Sequence, residues 1–122
     1  MNVFDASALL AFAGGEPGAD AVEQALETEP GVCGAANWSE VAQKVRTHDR
    51  DWSLVRALLL SYDLRVEPVT QADGELAASM WERGAGLSLA DRLCLALGRR
   101  LDATVWTADT TWGSGDPIRQ IR

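Results

Sequence analysis

The sequence has few of the residues that disulfide-rich and zinc-binding proteins use. Its two cysteines, Cys33 and Cys94, lie far apart in apolar surroundings, without CxxC or CxxH spacing. Its one histidine is His48. These shortages argue against a disulfide framework and against a zinc site. We therefore expect both cysteines to be reduced core residues of a cytoplasmic protein.

Long apolar runs are also missing. No stretch approaches the ~20 residues that a membrane-spanning helix needs, so we expect no membrane partner. The first residues, MNVFDASALL, contain no basic segment followed by a small-residue cleavage site. A secretory signal is therefore not expected.

Positive charge is scarce as well. Eighteen acidic residues face eleven lysines and arginines, which gives a net charge of −7. This balance argues against indiscriminate nucleic-acid binding through a basic surface. It remains compatible with a nuclease, because bound cations neutralise acids inside a site and basic residues can cluster locally. The acids could equally attract a basic partner.

The rest of the composition is that of a globular protein. Of 122 residues, 47% are hydrophobic and 24% charged, which suits one domain with a real core. Short apolar stretches alternate with longer helical patterns. The predicted strands are 2–4, 31–35, 64–69, 103–107 and 118–121, and the predicted helices are 6–12, 18–27, 37–48, 51–62, 70–84 and 88–101. This alternation predicts an α/β fold with a parallel sheet and helices on both faces.

Four acids occupy corresponding places in this pattern. Asp5 follows the first strand, and Asp109 lies just past the strand 103–107. Glu40 and Asp91 lie near the starts of two predicted helices. Ligand sites in parallel α/β sheets lie off the carboxyl ends of the strands. We therefore expect all four acids at one edge of the domain.

Helix capping is the simpler explanation for each acid. Asp5 and Asp109 can act as caps. Asn37 with Glu40, and Ser88 with Asp91, have the spacing of a capping box. Acids near helix N-termini also interact favourably with the helix dipole. Capping alone gives no reason for the acids to gather, however.

Convergence of the acids would require a cation. Two carboxylates about 4 Å apart repel by roughly 4 kcal/mol at an effective dielectric constant near 20. Hard divalent cations with oxygen ligands relieve this repulsion, and Mg²⁺ or Mn²⁺ suits a shell of carboxylates and water. The acids therefore predict a Mg²⁺ or Mn²⁺ site.

Four segments resemble the PIN-domain ribonucleases, particularly the VapC-type toxins of bacterial toxin–antitoxin pairs. They are FDASALLA, WSEVAQKV, SLADRLCLALG and VWTADTTW, and they are spread over nearly the whole chain. The resemblance implies that residues 1–122 form a single PIN-like domain. It implies a three-layer α/β/α sandwich with a central, mostly parallel sheet of four or five strands.

The resemblance also implies an activity and partners. They are Mg²⁺- or Mn²⁺-dependent endonucleolytic cleavage of RNA, a homodimer and inhibition by a cognate antitoxin. The family's metal-binding and catalytic acids match Asp5, Glu40, Asp91 and Asp109. Its accompanying hydroxyl residues match Ser7 and Thr107, which would orient carboxylates or water. Asp116, in GSGDP, competes with Asp109 for the fourth place; we prefer Asp109 because it directly follows a strand.

Basic residues could contact RNA phosphates near these acids. We name Arg92, beside Asp91, and Lys44 and Arg46 on the middle helix. The alternative is that each is an ordinary solvated charge on a helix surface.

Three other functions fit the pattern less well. A receiver-type phosphoacceptor would need an early acidic pair and a late lysine, but Lys44 is the only lysine. A haloacid-dehalogenase-type phosphohydrolase would need a second acid where Ser7 stands. A non-catalytic PIN-like module that only binds a partner remains open, although the presence of all four acids argues against it.

Overall fold

The structure, a computed structural model, describes residues 1–122 and contains one five-stranded sheet. All strands are parallel, in the order β3-β2-β1-β4-β5. The strands are β1 (Asn2–Phe4), β2 (Gly31–Gly34), β3 (Arg65–Glu67), β4 (Thr104–Thr107) and β5 (Ile118–Gln120). The helices are α1 (Ala6–Gly14), α2 (Ala19–Thr28), α3 (Ala35–Thr47), α4 (Trp52–Leu60), α5 (Gln71–Ser79) and α6 (Leu89–Leu101), followed by a short 3₁₀ turn at Thr110–Trp112. The predicted three-layer α/β/α sandwich is confirmed.

The central strand β1 pairs with β2 on one side and with β4 on the other. Val3 lies opposite Val32 and opposite Val105. The chain first proceeds outwards to β3 and then returns through α5 and α6 to β4. The strand order therefore reverses beside β1, and α/β sheets bind ligands at the carboxyl ends of strands at such a point.

Hydrophobic cores cover both faces of the sheet. Successive strand residues point to opposite faces, so Phe4 packs into a cluster with Leu9 and Val41. Val3 packs into a second cluster with Leu97. Burial on both faces explains why the adjacent β1 residues Val3 and Phe4 are both apolar, without alternation.

The predicted elements are all present, and their bounds differ by two residues or fewer, with one exception. The helix predicted at 70–84 ends at Ser79. Gly84 and Gly86, in the loop that follows, both have φ of 80°, a left-handed conformation that favours glycine. None of the helices combines the length and apolarity needed to span a membrane.

Two glycines inside helices provide a matched test of packing. A Cβ atom on Gly98 of α6 would collide with Cγ2 of Val105, whereas a Cβ on Gly74 of α5 would meet nothing within 4 Å. Gly98→Ala should destabilise the fold by about 1–3 kcal/mol because overpacking outweighs the gain in helix propensity. Gly74→Ala should stabilise it by about 0.5–1 kcal/mol. Urea unfolding of both variants checks the pair, and equal shifts would contradict the close packing of α6 on β4.

Candidate active site

Asp5 lies at the end of the central strand and is 4% exposed. It is the N-cap of α1, and its Oδ1 accepts a hydrogen bond from the backbone N–H of Ala8 at 2.8 Å. The predicted cap is therefore confirmed. A cap needs only one carboxylate oxygen, which leaves Oδ2 available for other contacts.

Two hydroxyl groups hold the other side of the Asp5 carboxylate. Thr107 Oγ1 donates to Oδ2 at 2.5 Å, and Ser7 Oγ lies 2.7 and 2.9 Å from the two oxygens. The hydroxyls are themselves held by the backbone after β4. Ser7 Oγ accepts from Ala108 N at 2.9 Å, and Thr107 Oγ1 accepts from Asp109 N at 3.0 Å. The neighbours predicted for Asp5 thus tie the ends of β1 and β4 together.

Burial changes the ionisation of Asp5. Desolvation raises the pKa of this carboxyl, and the negative charge of Asp91 adds to the rise. Hydrogen bonds from Thr107, Ala8 and Ser7 oppose it but do not cancel it. Asp5 is therefore an acid whose charged form would be favoured by a nearby cation.

Glu40 occupies a different position in its helix from the one predicted. The helix α3 begins at Ala35 after Gly34, so Asn37 is not an N-cap and the capping box predicted for Asn37 and Glu40 is wrong. The physical reason is that Gly34 ends β2 in an extended conformation and the chain enters the helix immediately. Asn37 instead donates from Nδ2 to Oε1 of Glu40 at 3.3 Å.

The remaining acids do form the predicted caps. Ser88 and Asp91 form a capping box at the start of α6, with both hydrogen bonds present. Asp109 caps the 3₁₀ turn by accepting from Thr111 N at 2.9 Å. Helix capping and convergence of the acids are therefore compatible, because Asp91 and Asp109 act as caps and also line a common cavity.

A cavity of about 400 Å³ opens at the carboxyl ends of β1 and β4 and brings the four predicted acids together. Its lining comprises Asp5, Ala6, Ser7, Leu10, Glu16, Asn37, Glu40, Lys44, Val45, His48, Arg50, Asp91, Ala108, Asp109 and Arg122. Asp116, the competing fourth acid, is exposed and is not part of this lining.

The acids surround the cavity without forming a closed cluster. No three His, Cys, Asp or Glu side chains lie close enough together to hold an ion by themselves. The oxygen-only donors of Asp5, Glu40, Asp91 and Asp109 nevertheless suit Mg²⁺, which commonly uses one or two carboxylates and retains several waters. The desolvated carboxyl of Asp5 fits the same requirement, since it lacks a compensating positive partner.

Only one of the three basic residues named from the sequence lines this cavity. Lys44 is in the lining, whereas Arg46 is not. Arg92 is also outside it, and its Nη1 donates to the Ala77 carbonyl at 3.0 Å, which ties α6 to α5. Hydrogen bonding to α5 therefore weakens the prediction that Arg92 contacts RNA.

Sequence reasoning missed part of the cavity wall. His48, used above only as an argument against a zinc site, lies in the lining. Arg122 is there as well, with Nη1 donating to the Pro17 carbonyl at 2.9 Å. The spacing of Glu40, Lys44 and His48 was the available signal: Glu40 and Lys44 are four residues apart on α3, so they share one helix face, and His48 follows four residues later as the C-cap.

Comparison with known proteins identifies the family of this chain. The family model of the PIN domain matches residues 3–114. The chain therefore belongs to the PIN-domain family. Within that family it is similar to ribonuclease VapC42 from Mycobacterium tuberculosis and to a VapC ribonuclease from Mycobacterium bovis. Each is 33% identical over 107 residues, covering 80% of this chain and 82% of the relative.

Solved structures support the fold alone, because their sequence identity is low. A toxin–antitoxin complex from Klebsiella pneumoniae contains a chain that superposes with a TM-score of 0.79 at 19% identity, covering 100% of this chain and 98% of that one. Mycobacterium tuberculosis VapC20, described as a toxin that cleaves the sarcin–ricin loop, superposes with a TM-score of 0.71 at 18% identity, covering 96% and 92%.

Proposed function

We propose that this protein is a divalent-cation-dependent endoribonuclease and the toxin of a toxin–antitoxin pair. The observation that carries the proposal is the cavity at the strand-order reversal, which is lined by the buried carboxylate of Asp5 and by the three other predicted acids. The similarity to VapC ribonucleases supports RNA as the substrate, and we propose a structured RNA such as tRNA or rRNA. The similarity to a toxin–antitoxin complex supports a protein antitoxin.

In this proposal Asp5 and Asp91 are the principal ligands of Mg²⁺ or Mn²⁺, with Glu40 and Asp109 completing the site. A bound cation polarises a phosphate and lowers the pKa of coordinated water. The protein's own contribution is to hold Asp5 rigidly, since Ser7, Thr107 and the Ala8 amide fix both carboxylate oxygens. Such support orients a ligand before substrate arrives.

The hydrogen bonds also favour water as the nucleophile. The hydroxyl of Ser7 is engaged by Asp5 and by the Ala108 N–H. The hydroxyl of Thr107 is engaged by Asp5 and by the Asp109 N–H. Both cysteines are buried, and burial raises the pKa of each thiol. The site therefore offers no activated side-chain nucleophile, which leaves water or the ribose 2′-hydroxyl of the RNA; we propose water, because a bound cation would lower its pKa.

Substrate and partners would use different surfaces. Lys44 lies in the same cavity lining as the acids, where it could contact an RNA phosphate. Leu54 and Leu58 on α4 are 70% and 40% exposed. Exposed leucines on one helix suit a protein interface, and we propose this side of the molecule for the antitoxin or for a second subunit of a homodimer.

The activity can be tested with the purified protein, freed of any antitoxin. Structured RNAs should be cleaved with Mg²⁺ or Mn²⁺, should remain intact with a chelator, and should be cleaved again when cation is restored. Attack by water leaves no 2′,3′-cyclic phosphate, whereas attack by the ribose 2′-hydroxyl would produce one. Cyclic products, or cleavage that persists in chelator, would contradict the proposal. Absence of both cleavage and cation binding would favour a non-catalytic partner-binding module.

A further inference from the structure

Asn37 connects two of the site's acidic segments. It lies in the first turn of α3, is 1% exposed, and forms part of the cavity lining. Its Nδ2 group donates to Oε1 of Glu40 and to the carbonyl of Ala90, both at 3.3 Å. Ala90 immediately precedes Asp91 in α6. One amide therefore joins Glu40 to the helix turn that carries Asp91.

The orientation of this amide is determined by its neighbours. A carboxylate and a carbonyl only accept hydrogen bonds, so the NH₂ group must face them and the oxygen must face away. The oxygen lies beside Gly34, 3.3 Å from where a Cβ on that residue would be. It is buried and has no hydrogen-bond partner.

The same contacts make Asn37 a poor residue for stability alone. An unsatisfied buried acceptor costs about 1–3 kcal/mol, while an ordinary hydrogen bond contributes a net 0.5–1.5 kcal/mol. The two bonds that Asn37 donates are at the long end of the usual range. The arrangement therefore gains little free energy of folding, and its clearest consequence is the orientation of Glu40.

The Glu40 carboxylate has a single hydrogen-bond partner, Asn37. Asp5 is held by four hydrogen bonds, and Asp91 is held by the Ser88 N–H. Asn37 is the hydrogen-bond partner that the structure provides for the Glu40 carboxylate. Without Asn37, the half-buried Glu40 side chain would sample several rotamers, and the site would be less well preorganised for the cation.

We propose that Asn37 is a positioning residue that holds Glu40 and the first turn of α6 in the geometry needed to bind the cation. This proposal rests on the proposed function, since it names a residue that prepares the same site. Asn37 acts through Glu40 and Ala90, and it need not contact the RNA.

The test compares Asn37→Ala with Asn2→Ala. Asn2 is the only other asparagine, is also buried, and also makes two side-chain hydrogen bonds, to the Ala25 carbonyl and from Trp106 Nε1. It lies outside the cavity lining, so it controls for the loss of a buried amide. Asn37→Ser provides a milder variant, in case alanine prevents folding.

Four quantities should be measured for each variant: the melting temperature, the Kd for Mn²⁺ by calorimetry without RNA, and kcat and KM for RNA cleavage. We expect Asn37→Ala to weaken Mn²⁺ binding and lower kcat by about 10–100-fold, as loss of a residue that orients a ligand commonly does. KM should change by less than about twofold, because RNA binding does not use Asn37. Asn37→Ser should shift the same quantities in the same direction, by less.

The outcomes separate the two proposals. Asn2→Ala should lower the melting temperature while leaving Mn²⁺ binding and kcat at the wild-type values. If Asn37→Ala or Asn37→Ser behaves as Asn2→Ala does, Asn37 is a structural residue and this inference is overturned, with the proposed function intact. If the wild-type protein neither binds Mn²⁺ nor cleaves RNA, the proposed function fails and takes this inference with it.

Discussion

Asp5→Asn should lower kcat for RNA cleavage by about 1,000-fold or more, equivalent to about 4 kcal/mol of transition-state stabilisation. Asp5 is the most buried of the four acids and the one at which β1 and β4 meet. Asparagine keeps the size of the side chain but removes its charge. A neutral amide cannot compensate a divalent cation, so both binding of the ion and its effect on the phosphate should be lost.

The same substitution should leave the fold intact or stabilise it. Asparagine is as good an N-cap as aspartate, so α1 keeps its cap. Burial raises the pKa of Asp5 in the folded protein, which means that folding disfavours its charged form. Ionised Asp5 therefore lowers stability at pH values above its folded pKa, and this cost disappears as the pH falls below its unfolded pKa. In chelator at pH 7, the melting temperature of Asp5→Asn should equal or exceed that of the wild type.

Addition of cation should reverse the order of the two melting temperatures, so that the wild type melts above Asp5→Asn. A ligand that binds only the folded state stabilises it by RT ln(1 + [L]/Kd), and so raises the melting temperature. Mn²⁺ should therefore stabilise the wild type and leave Asp5→Asn unchanged in a thermal melt. Similar Mn²⁺ shifts in both proteins would place the cation elsewhere.

Asp116→Asn is the matched control for this experiment. It makes the same chemical change at an exposed carboxylate outside the cavity lining. We expect wild-type cleavage from it, whereas Asp109→Asn should reduce cleavage; this comparison also decides between the two candidates for the fourth acid. Undiminished cleavage by an Asp5→Asn preparation would indicate either a contaminating nuclease or chemistry at another site.

Much of the fold was predictable because its signals are local. The apolar stretches of β1 and β2 identify buried parallel strands, and Ser88 with Asp91 marks the start of α6. The end of α5 was mispredicted because the segment after Ser79 retains helix-forming residues as far as Arg83. Nothing local in that segment indicates where packing against α6 ends.

The site was predictable only in part, because its details depend on contacts between distant segments. The alternation of strands and helices, which predicts a parallel sheet, suffices to predict that Asp5 and Asp109 lie at one edge. The bridge from Asn37 to Ala90 joins residues 53 positions apart, and no spacing rule covers it. The spacing of Asn37 and Glu40 even suggested that Asn37 is an N-cap. That interpretation was wrong because α3 begins before Asn37, at Ala35, and the capping-box pattern does not reveal this. The Arg92 side chain turns to α5 for the same kind of tertiary reason.

Asp73→Ala should destabilise the fold by about 3 kcal/mol, although Asp73 lies outside the cavity lining. Asp73 is 4% exposed and accepts two hydrogen bonds from Arg100, at 2.8 Å from Nε and 3.2 Å from Nη2. It also completes the capping box of α5 with Thr70. Removal of one partner from a fully buried ion pair costs about 3–5 kcal/mol, and loss of a cap about 1 kcal/mol. Because the Arg100 side chain is partly exposed, breaking this ion pair should cost less than it would for a fully buried pair.

Urea unfolding at pH 7 should show this loss. Glu75→Ala is the control on the same helix, because Glu75 is exposed and makes a single long contact with Gln71. Its effect should stay within about 0.5 kcal/mol. If Glu75→Ala lowered the unfolding free energy as much as Asp73→Ala does, the loss would reflect a general effect of substitutions in α5 and not the Asp73–Arg100 pair.

The pH dependence separates charge from packing at Asp73. Burial alone would raise the pKa of Asp73, but the hydrogen bonds from Arg100 and Thr70 outweigh it and lower the pKa in the folded protein. A lowered folded pKa means that ionised Asp73 contributes stability above its unfolded pKa of about 3.9, and that this contribution is lost as the pH falls through the folded pKa. The difference in unfolding free energy between wild type and Asp73→Ala should therefore be constant from about pH 7 to pH 5 and shrink below about pH 4. A difference that stays constant down to the lowest pH at which both proteins fold would show that Asp73 stabilises α5 and α6 by shape and capping, without its charge.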